Sequence, residues 1–411
     1  MRRGRAVKLD TIGSRLADAV RSIGSVALTD CGLSLARTAF EQSRIQMISY
    51  QEELDWACYY VYGLLRDGLC HEEIDRVPPV GLGQRAFEIV LARRMAEGEA
   101  PTTWFERHGS TPTTEIPAHW PEDYRALVQR RIDAIESNPN IRLIEQPEYK
   151  RRWNAGPWER QQERALRGWL LHRLESSSYW PKPELTSCAR LADRAHADKD
   201  FMQVAAIYTG RADFDVTRLV AELVQNEAVP FLPVLRYKPP GLRKRALWEQ
   251  TWDLQRREDR GERVGDIPVP PKYRSSDFQK GTCWRLRGKL DVPKERFVSY
   301  PGCERDADPT PLVGWAGWDH LQQAQALAAH YLAMKDSEGW STERLTPLLT
   351  GLLELLPWLE QWHDELDPAF GMGMGQYFRS FVEEEARTLG LTLDAIRGWR
   401  PPASTRRGRK R

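Results

Sequence analysis

Apolar positions strengthen into a helical pattern from residue 48. Leu54, Ala57, Cys58, Val61, Leu64 and Leu65 recur three or four apart and predict a helix ended near Gly68. A Pro/Gly-rich turn at 77–83 precedes a second helix over 84–97, with Phe87, Val90 and Leu91 on one face. Residues 101–121 read as a Thr/Pro-rich connector. A third helix spans 122–137 and stops at Asn138–Pro139, because proline pushes the preceding residue out of helical dihedrals. Further helices are predicted at 157–176, 188–195, 200–209, 215–226 and 243–257. Extended segments are predicted at 231–237, 283–290 and 296–300. The last third returns to helix over 319–336, 341–366 and 376–389. Ser341 is a good N-cap before a run of leucines, while Pro347 and Pro357 predict a kink or break.

This pattern predicts a mainly α fold with a few short strands, an α+β chain in two or three helical modules. The expected divisions are a basic leader (1–45), a helical region (46–160), a mixed α+β basic region (161–310), a helical domain (311–402) and a basic tail (403–411). The leader is weakly patterned, with room for one helix. The tail after Pro402 is too polar to bury a core and reads as disordered.

Composition changes the picture in one respect. The 411 residues are polar, with 29% charged side chains and 16 tryptophans that must be buried or used. Net charge is only +2, yet residues 236–296 hold 17 Lys/Arg against 9 Asp/Glu. The tail adds five more cations, so the remainder of the chain is acidic. Such asymmetry argues for a polyanionic partner. The six cysteines form no CxxC pair and read as reduced thiols of a cytoplasmic protein. No apolar run is long enough to span a membrane, and the basic start leads into no signal-peptide core.

The stretch 284–302 (WRLRGKLDVPKERFVSYPG) interleaves Arg285, Arg287, Lys289, Lys294 and Arg296 with Trp284, Phe297 and Tyr300. Together with Arg243, Lys244, Arg245, Arg256 and Arg257 these cations form the candidate DNA-binding set. Most would hold phosphates without reading sequence, and one or two could reach base edges. The competing reading makes Trp248, Trp252 and Trp284 core residues and Arg243–Arg245 a solvated helix end. For the tryptophans, core is the better reading. His108 and His119 lack a second ligand at helical spacing and read as structural. Asp319 in WAGWDH reads as an N-cap. No nucleophile–base pair, metal ligand set or cofactor-binding residue is discernible.

Seven runs carry a resemblance. They are YQEELDW (50–56), RAFEIVLARRMAEGE (85–99), TTWFERHGSTPTTEIPAHWP (102–121), RRIDAIESNPNIRLIEQPEYKRRW (130–153), LPVLRYKPPGLRKRALWEQTWDLQRRED (232–259), PPKYRSSDF (270–278) and WAGWDHLQQAQALAAHY (315–331). The chain resembles, over about residues 48–402, the C-terminal region of the PglX family, adenine-specific DNA methyltransferases of BREX phage defence. The resemblance implies DNA binding, target recognition or complex assembly. The family's reaction transfers a methyl group from S-adenosylmethionine to adenine N6.

That reaction needs a glycine-rich turn after a strand and an Asn/Asp-Pro-Pro-Tyr/Phe loop for the flipped adenine. VPPKY (269–273) and RVPPV (76–80) lack the polar residue before the prolines. DPAFGMG (367–373) imitates a cofactor loop, but it follows a Leu/Trp-rich helix and reads as a glycine loop ending that helix. The chain alone is therefore expected to be non-catalytic and to bind no cofactor, with S-adenosylmethionine belonging to the full-length family. Its expected partners are DNA and a separate methylase polypeptide or other BREX proteins. Two alternatives stay open: an adenine-N6 methyltransferase with degenerate motifs, and a protein-interaction scaffold. In this family the helix over 50–66 would pack near the catalytic domain, so Trp56 or Tyr60 is expected to be exposed here.

Overall fold

A computed structural model of the chain describes residues 29–402 apart from 100, 151–152, 154–155 and 369–370, together with scattered positions between 7 and 21. The expectations for the tail 403–411 and for most of residues 1–28 lie outside the described residues. The fold is mainly α with a few short strands, and the chain divides into two compact units, Met1–Trp169 and Leu170–Arg411.

The first unit is helical. Helix α1 (Asp30–Val61) starts well before the expected residue 48, with Thr29 capping it by accepting from the Gly32 amide. Leu33, Phe40 and Met47 are buried at seven-residue spacing, a sparse stripe that a window seeking denser periodicity passes over. Of the two residues of which one was expected to be exposed, Trp56 is fully buried and Tyr60 is half exposed. Helix α2 (Ala86–Ala96) is buried along residues 86–92, and α3 (Trp104–His108) lies within the connector. Helix α4 (Glu122–Ser137) ends as expected. Asn138 then caps α5 (Pro139–Ile144) by accepting from the Asn140 and Ile141 amides, so Asn-Pro stops one helix and starts the next. Helix α6 (Trp158–Leu174) contains the boundary between the units.

The second unit opens with β1 (Thr186–Ser187), α7 (Cys188–Ala197), α8 (Lys199–Thr209) and α9 (Val216–Asn226). It continues through β2 (Ala228–Pro230), α10 (Pro233–Arg236), α11 (Pro239–Asp259), α12 (Gly281–Arg287), β3 (Phe297–Ser299) and β4 (Leu312–Trp315). The four strands form one sheet in the order β1-β4-β3-β2. Strands β2 and β3 run parallel, with Val229 opposite Val298, and the other pairs are antiparallel. Two of the expected extended segments differ in the structure. The strand before 231–237 is β2, and residues 233–236 are a helical turn. Residues 283–290 are mostly α12, followed by a 3-10 turn over Gly288–Leu290. Cys283 and Leu286 are buried three residues apart on the inner face of that short helix. Their spacing fits a helix better than a strand, where residues three apart point to opposite faces.

The remaining elements are α13 (His320–Asp336), α14 (Thr342–Trp362), β5 (Leu366–Asp367), β6 (Met372–Gly373), α15 (Met374–Thr388) and α16 (Leu393–Arg397). Asp319 caps α13, accepting from the Gln322 amide in a capping box. Helix α14 runs through Pro347 and Pro357 without a break. Its buried leucines, at 345, 348, 349, 352, 353, 356 and 359, outweigh the two lost backbone bonds. Gly351 permits close packing, since a Cβ there would lie 2.7 Å from the Phe231 ring and 2.8 Å from Leu327.

Candidate nucleic-acid interface

The basic region 236–296 is built around a small aromatic core of Tyr237, Tyr273, Phe278 and Cys283, with Leu242, Trp248 and Trp284 packed on it. Tyr237 and Tyr273 stack at 5.1 Å, and Trp248 donates to the Pro271 carbonyl at 3.1 Å. The start of α11 docks on the turn 275–278. The Lys238 amide donates to the Asp277 carbonyl at 2.8 Å, and a Cβ on Gly241 would sit 2.5 Å from that same oxygen. Gly241 is therefore fixed by close backbone approach. Trp248 and Trp284 serve the core as read, whereas Trp252 is 41% exposed and meets Trp358 edge-on at 5.7 Å.

The structure gives seven of the ten candidate cations partners inside the fold. Lys244 pairs with Asp277 at 2.6 Å and donates to the Lys272 carbonyl. Arg245 lies 2.7 Å from Glu354 and 3.0 Å from Glu249. Burial opposes its charge, but the Glu354 carboxylate raises its pKa above the usual arginine value. Arg256 donates to Gln361 at 2.9 Å and sits over the Trp358 ring. Arg257 pairs with Glu262 at 2.8 Å. Arg285 donates to the Asn226 carbonyl, Arg287 to Glu295, and Arg296 to Glu175. Arg243, Lys289 and Lys294 are exposed, and their side chains make no ion pair or hydrogen bond among the described residues.

The ten-residue candidate set omits other cations of the same kind. Lys238, Arg263, Lys272, Arg274 and Lys280 are also exposed and unpaired among the described residues. Backbone bonds from Tyr273 to Lys289 (3.0 Å) and from Gln279 to Arg236 (2.8 Å) tie the segments carrying these residues to the same aromatic core. A sequence signal for the distinction existed in part. Arg245 and Arg287 each have an acid four residues on, Glu249 and Asp291, and both pairs form.

The YQEELDW run does structural work in the first unit. Glu52 accepts from Trp56 Nε1 at 3.0 Å and from the Ala86 amide. Burial works to raise its pKa, but Lys150, Arg131 and Arg85 prevail and hold it below the usual carboxylate value. Glu53 accepts from the His71 amide, Tyr124 Oη and Arg131 Nη2 at 2.7, 3.1 and 2.7 Å. Asp55 accepts from Gln51 and Lys150. Glu145 takes hydrogen bonds from Lys150 and Tyr59, yet burial pushes its pKa up to about 7.

The other motifs fall in ordinary places. His108 is buried and stacks against Trp104 at 3.9 Å, while His119 is exposed beside Trp120. Gly317 in WAGWDH lies so close to Trp315 that a Cβ would meet its ring at 2.3 Å. Leu366–Asp367 pairs antiparallel with Met372–Gly373 between two helices. The segment follows a helix as read, but strand pairing shapes it as well as the helix end. Among the described residues no three His, Cys, Asp or Glu side chains are grouped to hold a metal ion, all six cysteines are free thiols, and no helix is long and apolar enough to cross a membrane.

Residues 47–411 match the family described as a domain of unknown function, DUF7008, and the chain belongs to that family. It is also 49% identical, over a 422-residue alignment, to the adenine-specific methyltransferase PglX of Streptomyces coelicolor. The alignment covers 99% of this chain and 34% of that protein, so the chain spans about a third of its relative's length. This relation is the one read from the seven sequence runs, and the coverage is consistent with a C-terminal region. No solved structure matches the chain.

Proposed function

We propose that this chain is a DNA-contacting, non-catalytic C-terminal region of a PglX-like adenine-specific methyltransferase acting in cytoplasmic BREX phage defence. The supporting observation is the set of exposed, unpaired cations Lys238, Arg243, Arg263, Lys272, Arg274, Lys280, Lys289 and Lys294. Neighbouring arginines are neutralised within the fold, so these are the charges available to a polyanion. Phosphates attract such side chains irrespective of base sequence. Methyl transfer from S-adenosylmethionine is assigned to a separate methylase segment or polypeptide.

Electrophoretic mobility shifts on duplex DNA at two salt concentrations test the reading. If about six phosphates are neutralised, affinity falls roughly a thousandfold between about 50 and 200 mM salt. Lys272→Glu, Arg274→Glu and Lys280→Glu together should weaken binding to all sequences alike. Binding indifferent to salt and to the triple reversal would overturn it in favour of a protein scaffold. Incubation with labelled S-adenosylmethionine and adenine-containing duplex should transfer no label; clear incorporation would establish an active methyltransferase with degenerate motifs.

A further inference from the structure

The end of α14 carries aromatic surface that the DNA reading does not use. Trp358 and Trp362 lie one turn apart on the same side of the helix, and Trp252 of α11 meets Trp358 edge-on at 5.7 Å. The row continues to Leu366, just past the helix. Trp252, Trp362 and Leu366 are 41%, 64% and 70% exposed. Arg256 lies over the Trp358 ring at 4.7 Å, so the patch already holds one guanidinium against an indole.

The charge around this row is one-sided. Residues 345–378 contain five acids and no lysine or arginine. Arg245 answers Glu354 and Arg379 answers Glu360. Asp364 and Glu365, just beyond Trp362, are exposed and make no ion pair or hydrogen bond among the described residues. Asp253, next to Trp252, is likewise exposed without an ion pair. The last turn of α14 holds no basic residue, so no lysine or arginine there complements the partial negative charge of the helix end.

We infer that residues 406–411 of this same chain, RRGRKR, dock on the patch, stacking arginine on Trp252 and Trp362 and pairing with Asp253, Asp364 and Glu365. Exposed indoles beside unpaired carboxylates suit a guanidinium, which stacks on the ring with its face and pairs with the acid through its N–H edge. A nucleic-acid strand could stack on the rings, but its phosphates would face the carboxylates. A purely apolar partner would bury those acids without counter-charge.

Tether length favours this segment as the occupant. Helix α16 is held to α14 by Thr350, whose hydroxyl donates to the Ile396 carbonyl at 3.0 Å. Thr350 precedes Trp362 by twelve residues of helix, about 18 Å. The fifteen residues from Ile396 to Arg411 reach up to about 50 Å when extended, so the span is crossed without strain. A short tether also holds the segment at an effective concentration of about millimolar, at which weak surface contacts suffice. Arginine-rich residues 1–5 belong to the other unit, with no such anchor on α14. Docked here, the five cations of 406–411 shield the indoles and are withheld from other polyanions. The inference does not depend on the DNA reading.

The test treats the full chain with a water-soluble carbodiimide, which joins a lysine amine to a carboxylate in contact with it, forming an amide with loss of water. Lys410 is the lysine of the segment. Mass spectrometry of the monomer fraction should find Lys410 joined chiefly to Asp253, Asp364 or Glu365. The yield should fall at least tenfold in the Trp252→Ala, Trp362→Ala double variant, and also at about 1 M salt, where charges are screened beyond about 3 Å. A second readout does not depend on how that variant folds. Amide hydrogen exchange over residues 362–366 should be at least threefold faster when Arg406→Ser, Arg407→Ser, Arg409→Ser, Lys410→Ser and Arg411→Ser are combined than in the wild type. Cross-links scattered over many carboxylates and indifferent to the tryptophan variant, or equal exchange with and without the five cations, would overturn the inference in favour of a solvated segment. Cross-links found only between isotope-labelled and unlabelled chains would overturn it in favour of a second copy.

Discussion

Arg131 and Glu53 form an ion pair with no solvent exposure on either side chain, Arg131 Nη2 lying 2.7 Å from Glu53 Oε1. The pair joins α4 to α1, and the Leu69 carbonyl takes the Arg131 Nε hydrogen at 3.0 Å. Removing one partner leaves a buried charge unanswered, at a cost of about 3–5 kcal/mol. Glu53→Gln and Arg131→Met should each destabilise the chain by that order in urea denaturation. The double variant should lose less than the sum of the two. It will still fall short of wild type, because glutamine offers one acceptor oxygen where the His71 amide and the Tyr124 hydroxyl use two. Additive losses would show that the charges do not interact.

Glu145 gives the first unit a pH dependence. Its carboxyl titrates at about 7 in the fold, against 4.5 for an ordinary glutamate, because burial outweighs the attraction of Lys150. The folded protein therefore keeps a proton that the unfolded chain releases between these values. The stability Glu145 contributes is fully present below pH 4.5 and declines as pH rises through about 7. Glu145→Gln should flatten that part of the profile. The measurement is the wild-type minus variant difference in unfolding free energy, taken in steps from acid to neutral pH.

His330 works in the opposite direction. It is buried, donates Nε2–H to the Cys303 carbonyl at 3.0 Å, and burial lowers its pKa from 6.5 to about 4. The unfolded chain takes up this proton first. Stability from neutral His330 is complete above pH 6.5 and is lost progressively as pH falls towards 4. His330→Gln keeps a donor for Cys303 and never ionises, so it should remove the acid loss while leaving stability at pH 8 nearly unchanged.

Gly241→Ala tests the docking of α11. Alanine favours a helix by about 1 kcal/mol over glycine. The new Cβ, however, would sit 2.5 Å from the Asp277 carbonyl, a backbone atom held by the Lys238 amide. The clash should prevail, with a net loss of about 1–3 kcal/mol and weaker DNA binding through disorder of the 270–280 segment. An alanine variant as stable as wild type would show that this turn moves freely.

Much of the fold was legible because its determinants are local. The limits of α4, the Asn138–Pro139 stop and the Asp319 cap follow from periodicity, proline geometry and side chains reaching two or three residues along the chain. Errors fell where local signals are short or sparse. The heptad-spaced stripe of α1 and the seven residues of α12 carry too few apolar positions to fix an element by pattern alone.

The sequence by itself determined the family, the mainly helical class and the concentration of positive charge in residues 236–296. Only the tertiary structure decided which of those charges stay available. Arg245 meets Glu354 across 109 residues, Arg256 meets Gln361 across 105, and Arg296 meets Glu175 across 121. It also decided that Arg236, one cation among many in the chain, is buried. The physical reason is range. Helical periodicity is set by neighbours within a turn, whereas ion pairs and hydrogen bonds act over a few ångströms between groups that only folding brings together.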